Sequence, residues 1–360
     1  MNINQLLQHE LNIQRVATSL INKGLFKSLD DAVAAVRLIL LDAETIQSPT
    51  KLNAVNRAIK QAIEEAMTPA WQQYTDELLE LAVFDAEFYA ELSGLPVIPG
   101  SQQIDDFVQS ALMSLSAGQV PKVGTWSDFV RENISGMTEQ INNLVKAGYI
   151  NGATVNQIAR TVRQFGDGLS KQQADALART GMQHYSQSAR RAMVNDNLDI
   201  VNKEYPLVTF DNRTSKRCIS INVQYPDGWP VNESPVGYPP YHFSCRTQIV
   251  YGLKGMGDPR KGIDRAATGS GPEYERGDTY KGKKDVGAFE IEQVPADMSF
   301  GAWLKMQDRE FVIDSLGATR AKLFLDGKLP LDRMSDAYGR ELTLAELRAK
   351  YADAFKRAGL

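Results

Sequence analysis

Apolar residues in the first 200 positions recur at helical spacing, and the period changes at Tyr205-Pro206, so the chain reads as a long helical part followed by a module of short extended runs. Residues 4–21 carry Leu7, Leu11, Val16 and Leu20. Ser28, Asp30 and Asp31 open a second helix through Val33, Val36, Ile39 and Leu40, and Ser48-Pro49-Thr50 starts a third. Thr68-Pro69 predicts a break or kink between Ala66 and Ala70 before the pattern resumes to Leu92, and Gly94, Pro96, Pro99 and Gly100 form a hinge. Residues 104–115 read as a short helix and 118–124 as a loop. Thr125 and Asp128 form a capping box for a helix that Gly148 ends, Thr154 starts the next, and Ser170 caps one with Ala174, Leu177, Ala178, Gly181, Met182, Tyr185, Ala189 and Ala192 on one face.

Beyond Tyr205, residues 207–210, 220–224 and 247–251 read as short β-runs parted by turns such as Pro226-Asp227-Gly228. Glycine then recurs through 252–287, with Asp258-Pro259-Arg260-Lys261-Gly262 and Gly269-Ser270-Gly271-Pro272 as breakers, which predicts an extended arm. Helices return at 299–308, 314–326 and 343–357, the last with a Thr343/Glu346 capping box. The expected fold is mainly α with a small α+β module. Its parts are an N-terminal helical docking region (1–95), central helices (96–200), a β-rich Cys/His module with a short antiparallel sheet (201–253), the glycine-rich arm (254–298) and a C-terminal helical extension (299–360).

At 360 residues, 43% hydrophobic and 23% charged, the composition is that of a soluble globular protein, and no stretch approaches the roughly 20 apolar residues of a membrane span. Nothing at the N-terminus reads as a secretory signal, which points to a cytoplasmic setting. The net charge of −4 hides an acidic N-terminal part and a mildly basic stretch at 151–254, with 12 Lys/Arg against 8 Asp/Glu. That excess suits weak phosphate contact by Arg190, Arg191, Lys203, Lys216 and Arg217, or simply a solvated surface.

The only two cysteines, Cys218 and Cys245, lie with His242 in a segment reading DNRTSKRC…PPYHFSCR. Two thiols and an imidazole suit zinc, with Asp211 the nearest candidate for a fourth ligand, but only the H-x-x-C half shows a paired spacing. Buried thiols beside a satisfied histidine, or a Cys218–Cys245 disulfide, account for the same residues. The chain lacks H-E-x-x-H, G-x-S-x-G, a P-loop and paired carboxylates for two-metal chemistry; an enzymatic alternative, a nuclease or transferase, would rest on His242 as base with Asp211 and Arg246.

The combination D-x-R-T-x-x-x-C…P-P-x-H-x-x-C-R, the preceding LARTGMQHYSQSAR and the tail from SFGAWLKMQ onward resemble the Mu F-like minor head proteins, or head morphogenesis proteins, of tailed bacteriophages, over about residues 150–360. The resemblance singles out Asp211, Arg213, Thr214, Cys218, Pro240, His242, Cys245 and Arg246, with Arg213, Thr214, Pro240 and Arg246 stabilising the module. Two positions depart from the pattern. Gly181 follows Arg179-Thr180 where many members have an acid, and Ser215 stands where the first cysteine of a C-x-x-C pair falls. The resemblance implies a non-enzymatic virion component of the head interior. Its partners would be the portal protein and the major capsid or scaffolding protein, with viral DNA contacted non-specifically, no membrane, and ejection with the DNA in some members.

Overall fold

The protein is described from a computed structural model, which covers residues 2–43, 46, 48–117, 120–270, 290–336 and 340–360. It is mainly α, with three small antiparallel sheets among the described residues. Helix α1 (Ile3–Leu20) passes through a wide π-type turn (Ile21–Leu25) into α2 (Phe26–Asp42). Helix α3 (Pro49–Ser93) has 45 residues and is roughly 67 Å long at 1.5 Å per residue. It runs unbroken through Pro69, contrary to the expected break. The stripe Ile59, Ile63, Met67, Trp71, Tyr74 and Leu78 is buried on both sides of the proline, and that packing outweighs the one backbone bond the proline removes.

Helix α4 (Ser101–Ser110) is shorter than expected and gives way to a hairpin, β1 (Met113–Ala117) and β2 (Val120–Gly124), where a loop was read. Buried Met113 and Leu115 on one face explain the strand. Helix α5 (Trp126–Ile150) starts at the Thr125/Asp128 capping box and α6 (Val155–Phe165) at Thr154. A second π-type turn (Gly166–Ser170) carries α6 into α7 (Lys171–Asn195), so Ser170 lies inside a continuous helical path and does not cap it.

In the second half, β3 (Val201–Leu207) lies between β4 (Trp229–Pro230) and β5 (Gln248–Leu253), all antiparallel, with a bulge between Val201 and Lys203. Residues 220–224 belong to a helix, α8 (Lys216–Gln224), despite their β-branched run. Ser215 caps it by accepting from Cys218 N, and Cys218, Ile219, Ile221 and Asn222 are buried. Within the glycine-rich stretch, β6 (Asp264–Gly269) pairs with β7 (Glu290–Pro295); residues 271–289 of the expected arm lie outside the described residues. The C-terminal part holds α9 (Phe300–Leu304), α10 (Arg309–Leu316), α11 (Ala318–Leu325), α12 (Leu344–Lys350) and α13 (Ala352–Arg357).

Two apolar cores result. One fills the space among the helices α1 to α7; the other joins the β3 sheet, α8 and the C-terminal helices to the ends of α1 and α3 through Ile3, Leu6, Tyr89 and Ala90. Helix α7 contributes to both and is buried on almost every side, although Gln183, Ser186, Gln187, Ser188 and Arg190 are polar. Their buried hydrogen-bonding groups therefore need partners in the interior. Arg190, with no exposed surface, donates to Glu10 of α1, to Asp85 of α3 (2.6 Å) and to Gln248 of β5 (2.8 Å), and lies over the Tyr89 ring. Gln248 donates to Glu10 (2.8 Å), and His9 Nε2 sits 2.9 Å from Asp85. Two and a half turns earlier in α7, Gly181 receives the indole of Trp126, which a Cβ there would overlap.

Arg190→Ala strands buried Asp85 and is expected to cost about 3–5 kcal/mol in chemical denaturation. Gly181→Ala, which forces Trp126 off its seat, should cost about 1–3 kcal/mol, and a melting temperature equal to the parent's would contradict this packing.

Candidate metal centre

One face of α7 sets the position of the cysteine and histidine side chains. Thr180, Gln183 and Gln187 follow one another along the helix and bind successive residues of the returning chain. Thr180 Oγ1 accepts from Ser244 N (2.9 Å), Gln183 donates to the Thr247 carbonyl (2.6 Å), and Gln187 Oε1 accepts from Ile249 N (3.2 Å). The loop is pinned on its other side by Ser116 N of β1, which donates to the Tyr241 carbonyl (2.9 Å). The Pro239-Pro240 bond is cis, Ser244 takes a positive φ of 56°, and Cys245 N closes a turn onto the His242 carbonyl at 3.2 Å.

Opposite this loop, Asp211 organises the entry to α8. Its Oδ1 accepts from Arg213 N (3.0 Å) and lies 3.0 Å from the Thr214 hydroxyl, which also donates to the Thr209 carbonyl (2.5 Å). Arg246 grips both Asp211 oxygens, at 2.6 and 2.9 Å. Ser215 then caps α8 and leaves Cys218 in the first turn, facing the loop.

Three soft or borderline donors meet there. Cys218 Sγ is 3.2 Å from His242 Nε2 and 3.8 Å from Cys245 Sγ, and the three ligand atoms lie within 4.8 Å of one another. His242 Nδ1 is 2.8 Å from the Phe243 carbonyl, and donation there orients the ring so that Nε2 faces the sulfurs. Burial raises the Cys245 thiol, but hydrogen bonds from Cys218 and His242 and the histidine charge outweigh it and hold Cys245 well below the ordinary thiol range. Burial and the neighbouring Cys245 push Cys218 well above that range. Burial lowers His242, yet its bond and charge interaction with Cys245 raise it overall.

The donor set fits a tetrahedral metal. An ion with metal–sulfur bonds of about 2.3 Å and metal–nitrogen bonds of about 2.0 Å holds two sulfurs about 3.8 Å apart and a sulfur and nitrogen about 3.5 Å apart. Asp211, expected as a fourth ligand, is not part of the cluster because Arg246, Thr214 and the Arg213 amide already engage its oxygens. Among the described residues no other His, Cys, Asp or Glu joins the three. Beside Cys218 and His242 lies a cavity of about 30 Å³, lined also by Arg213, Ser215, Ser244, Arg246 and Thr247.

The proposed phosphate-contacting residues fare unequally. Arg190 is corrected outright: the fully buried guanidinium is spent on Glu10, Asp85 and Gln248 and cannot reach a phosphate. Arg191 stacks 3.7 Å from the Tyr238 ring, Lys203 lies over Tyr205 at 5.3 Å, Lys216 pairs with Glu341 at 3.4 Å, and Arg217 is half-buried. Thr180, Gln183 and Gln187 escaped sequence reading. Their signal was present as a polar stripe on a helix whose small residues already marked close packing.

Comparison with known proteins adds one finding. Residues 139–250 match the family model described as phage Mu protein F like protein, a span that holds α7, the Asp211–Arg246 pair and the three metal-type ligands. No curated protein and no solved structure matches the chain.

The Asp211–Arg246 pair gives a pH signature. Burial by itself raises the Asp211 carboxyl, but the hydrogen bonds and charge of Arg246 bring it below its ordinary value. Its stabilisation is therefore fully present above the unfolded carboxyl pKa of about 3.9 and is lost as pH falls through the lower folded value. Asp211→Asn should cost about 1–3 kcal/mol at pH 7. Melts of both proteins should converge below about pH 4; a gap that stays constant down to acid pH would refute the pairing as its source.

Proposed function

Starting from the segment at residues 139–250 that matches the phage Mu protein F like family, we propose that this is a head morphogenesis protein of a phage virion, present in the host cytoplasm during assembly, with a non-enzymatic assembly role beside the portal. The observation that carries this reading is how the family's signature residues are used. Asp211 and Arg246 lock together, Thr214 and Ser215 shape the start of α8, and Cys218, His242 and Cys245 knit that helix to the loop. The space beside them, about 30 Å³, is far below the several hundred Å³ of a ligand cleft. His242 and Asp211 are each committed to structural partners, which disfavours the pairing of base and orienter that a nuclease or transferase would need.

The proposed docking element is the N-terminal helical half. Leu11 and Val16 of α1 and Phe84 of α3 are 50%, 44% and 56% exposed, apolar side chains on the surface of an assembly protein. The portal protein and the major capsid or scaffolding protein are the proposed partners. A DNA-binding alternative is weakened by the burial of Arg190, which removes one of its five cations. No described helix is long and apolar enough to cross a membrane.

Two variants test the division of labour. Cys245→Ala should lower the melting temperature and reduce incorporation into assembled heads at least fivefold. Leu11→Glu/Phe84→Glu should melt like the parent yet incorporate poorly. Normal incorporation of the second variant would remove the docking proposal, and magnesium- or zinc-dependent plasmid nicking abolished by His242→Ala would replace the structural reading with an enzymatic one.

A further inference from the structure

We propose that Cys218, His242 and Cys245 form a zinc site with three protein ligands, whose fourth coordination position opens into the small cavity that Ser215 helps to line and is filled from solution. Two sulfurs and one imidazole are the donors zinc prefers, and the 3.8 Å and 3.2 Å separations are close to the edges of its tetrahedron. The ligands are themselves held by hydrogen bonds. Phe243 O holds the Nδ1 proton of His242, and the hydroxyls of Ser215 and Thr247 reach the Cys218 sulfur.

The fourth position follows from the geometry around the three donors. Asp211 is clamped by Arg246, and no further His, Cys, Asp or Glu among the described residues reaches the cluster. Both cysteines are buried, and Cys218 and His242 line the cavity. Its volume of about 30 Å³ exceeds the roughly 15 Å³ that one water-sized group requires, yet excludes anything much larger. Arg213 and Arg246 line the same space, so the ligand class it takes is water or a small monodentate anion. Ser215 decides the matter. It lines the cavity three residues before Cys218, with its Oγ 3.2 Å from Cys218 N, so a cysteine at this position would offer a fourth thiol from the cavity wall. Zinc entry displaces the Cys218 thiol proton to solvent, and exchange at the open position replaces one solvent-derived ligand by one anion with no change in redox state.

The experiment uses the full chain, purified under reductant without chelator. Elemental analysis should give about one zinc per chain, and cobalt(II) exchange should produce sulfur-to-cobalt charge-transfer bands that disappear in Cys218→Ala and Cys245→Ala. Azide should shift the cobalt d–d bands of the parent protein. In Ser215→Cys that shift should vanish, and zinc affinity, measured against a competing chelator, should rise at least tenfold. Sub-stoichiometric zinc together with no charge-transfer bands overturns the site. Stoichiometric zinc with no azide response overturns the open position alone, and this measurement on the parent protein stands even if Ser215→Cys fails to fold. Neither outcome bears on head incorporation, so the assembly role is tested separately.

Discussion

Arg190 is the charge around which the two halves of the molecule are assembled. A guanidinium buried without solvent is tolerable only when its charge is met, and here Nη1 and Nη2 are engaged from three distant stretches of chain, Glu10 of α1, Asp85 of α3 and Gln248 of β5, while Nε has no hydrogen-bond partner. The pairing is unequal. Burial raises Glu10 and outweighs the attraction of Arg190, while the bonds from Arg190 and His9 overcome burial at Asp85 and lower it. Because the partners belong to elements of both apolar cores, the network fixes how the helical half and the sheet-bearing half meet. Apolar packing alone specifies this less sharply, since hydrophobic contact is non-directional and buried hydrogen bonds are not.

The cysteine–histidine cluster depends on the same helix. Thr180, Gln183, Gln187 and Arg190 form a continuous polar stripe, and the chain from Ser244 to Ile249 runs along it bond by bond. This explains why α7 can be buried on almost every side with a polar composition, and why Gly181 rather than an acid stands on its neighbouring face, where Trp126 occupies the space a side chain would need. The same indole donates to Thr75 of α3 at 2.8 Å and meets Trp71 edge-on, so one large ring closes the contact among α3, α5 and α7.

Much of the fold was legible because helical periodicity and capping boxes are local signals. Thr125, Thr154 and Thr343 each cap where the pattern placed them. The misses share one cause, local propensity overruled by packing. Pro69 does not interrupt α3, the β-branched run 220–224 is helical behind the Ser215 cap, and the Gly-containing stretch after residue 112 pairs as a hairpin. At the site, the H-x-x-C spacing and the distant Cys218 could be read as one cluster, since few residues of those types exist in the chain. Asp211 and Arg190 could not be placed, because whether a charged residue faces solvent, a ligand or an opposite charge depends on neighbours far away in sequence.

By itself, the sequence determined the helical class, the change of architecture after Tyr205, and which residues carry the family pattern, because spacing, caps and motif positions are properties of contiguous chain. Tertiary structure decided which charges are spent internally and that Asp211 belongs to Arg246 rather than to the cysteines. Those outcomes rest on contacts between residues 35 to 180 positions apart, and no local pattern encodes the desolvation and geometry that make one partner win over another.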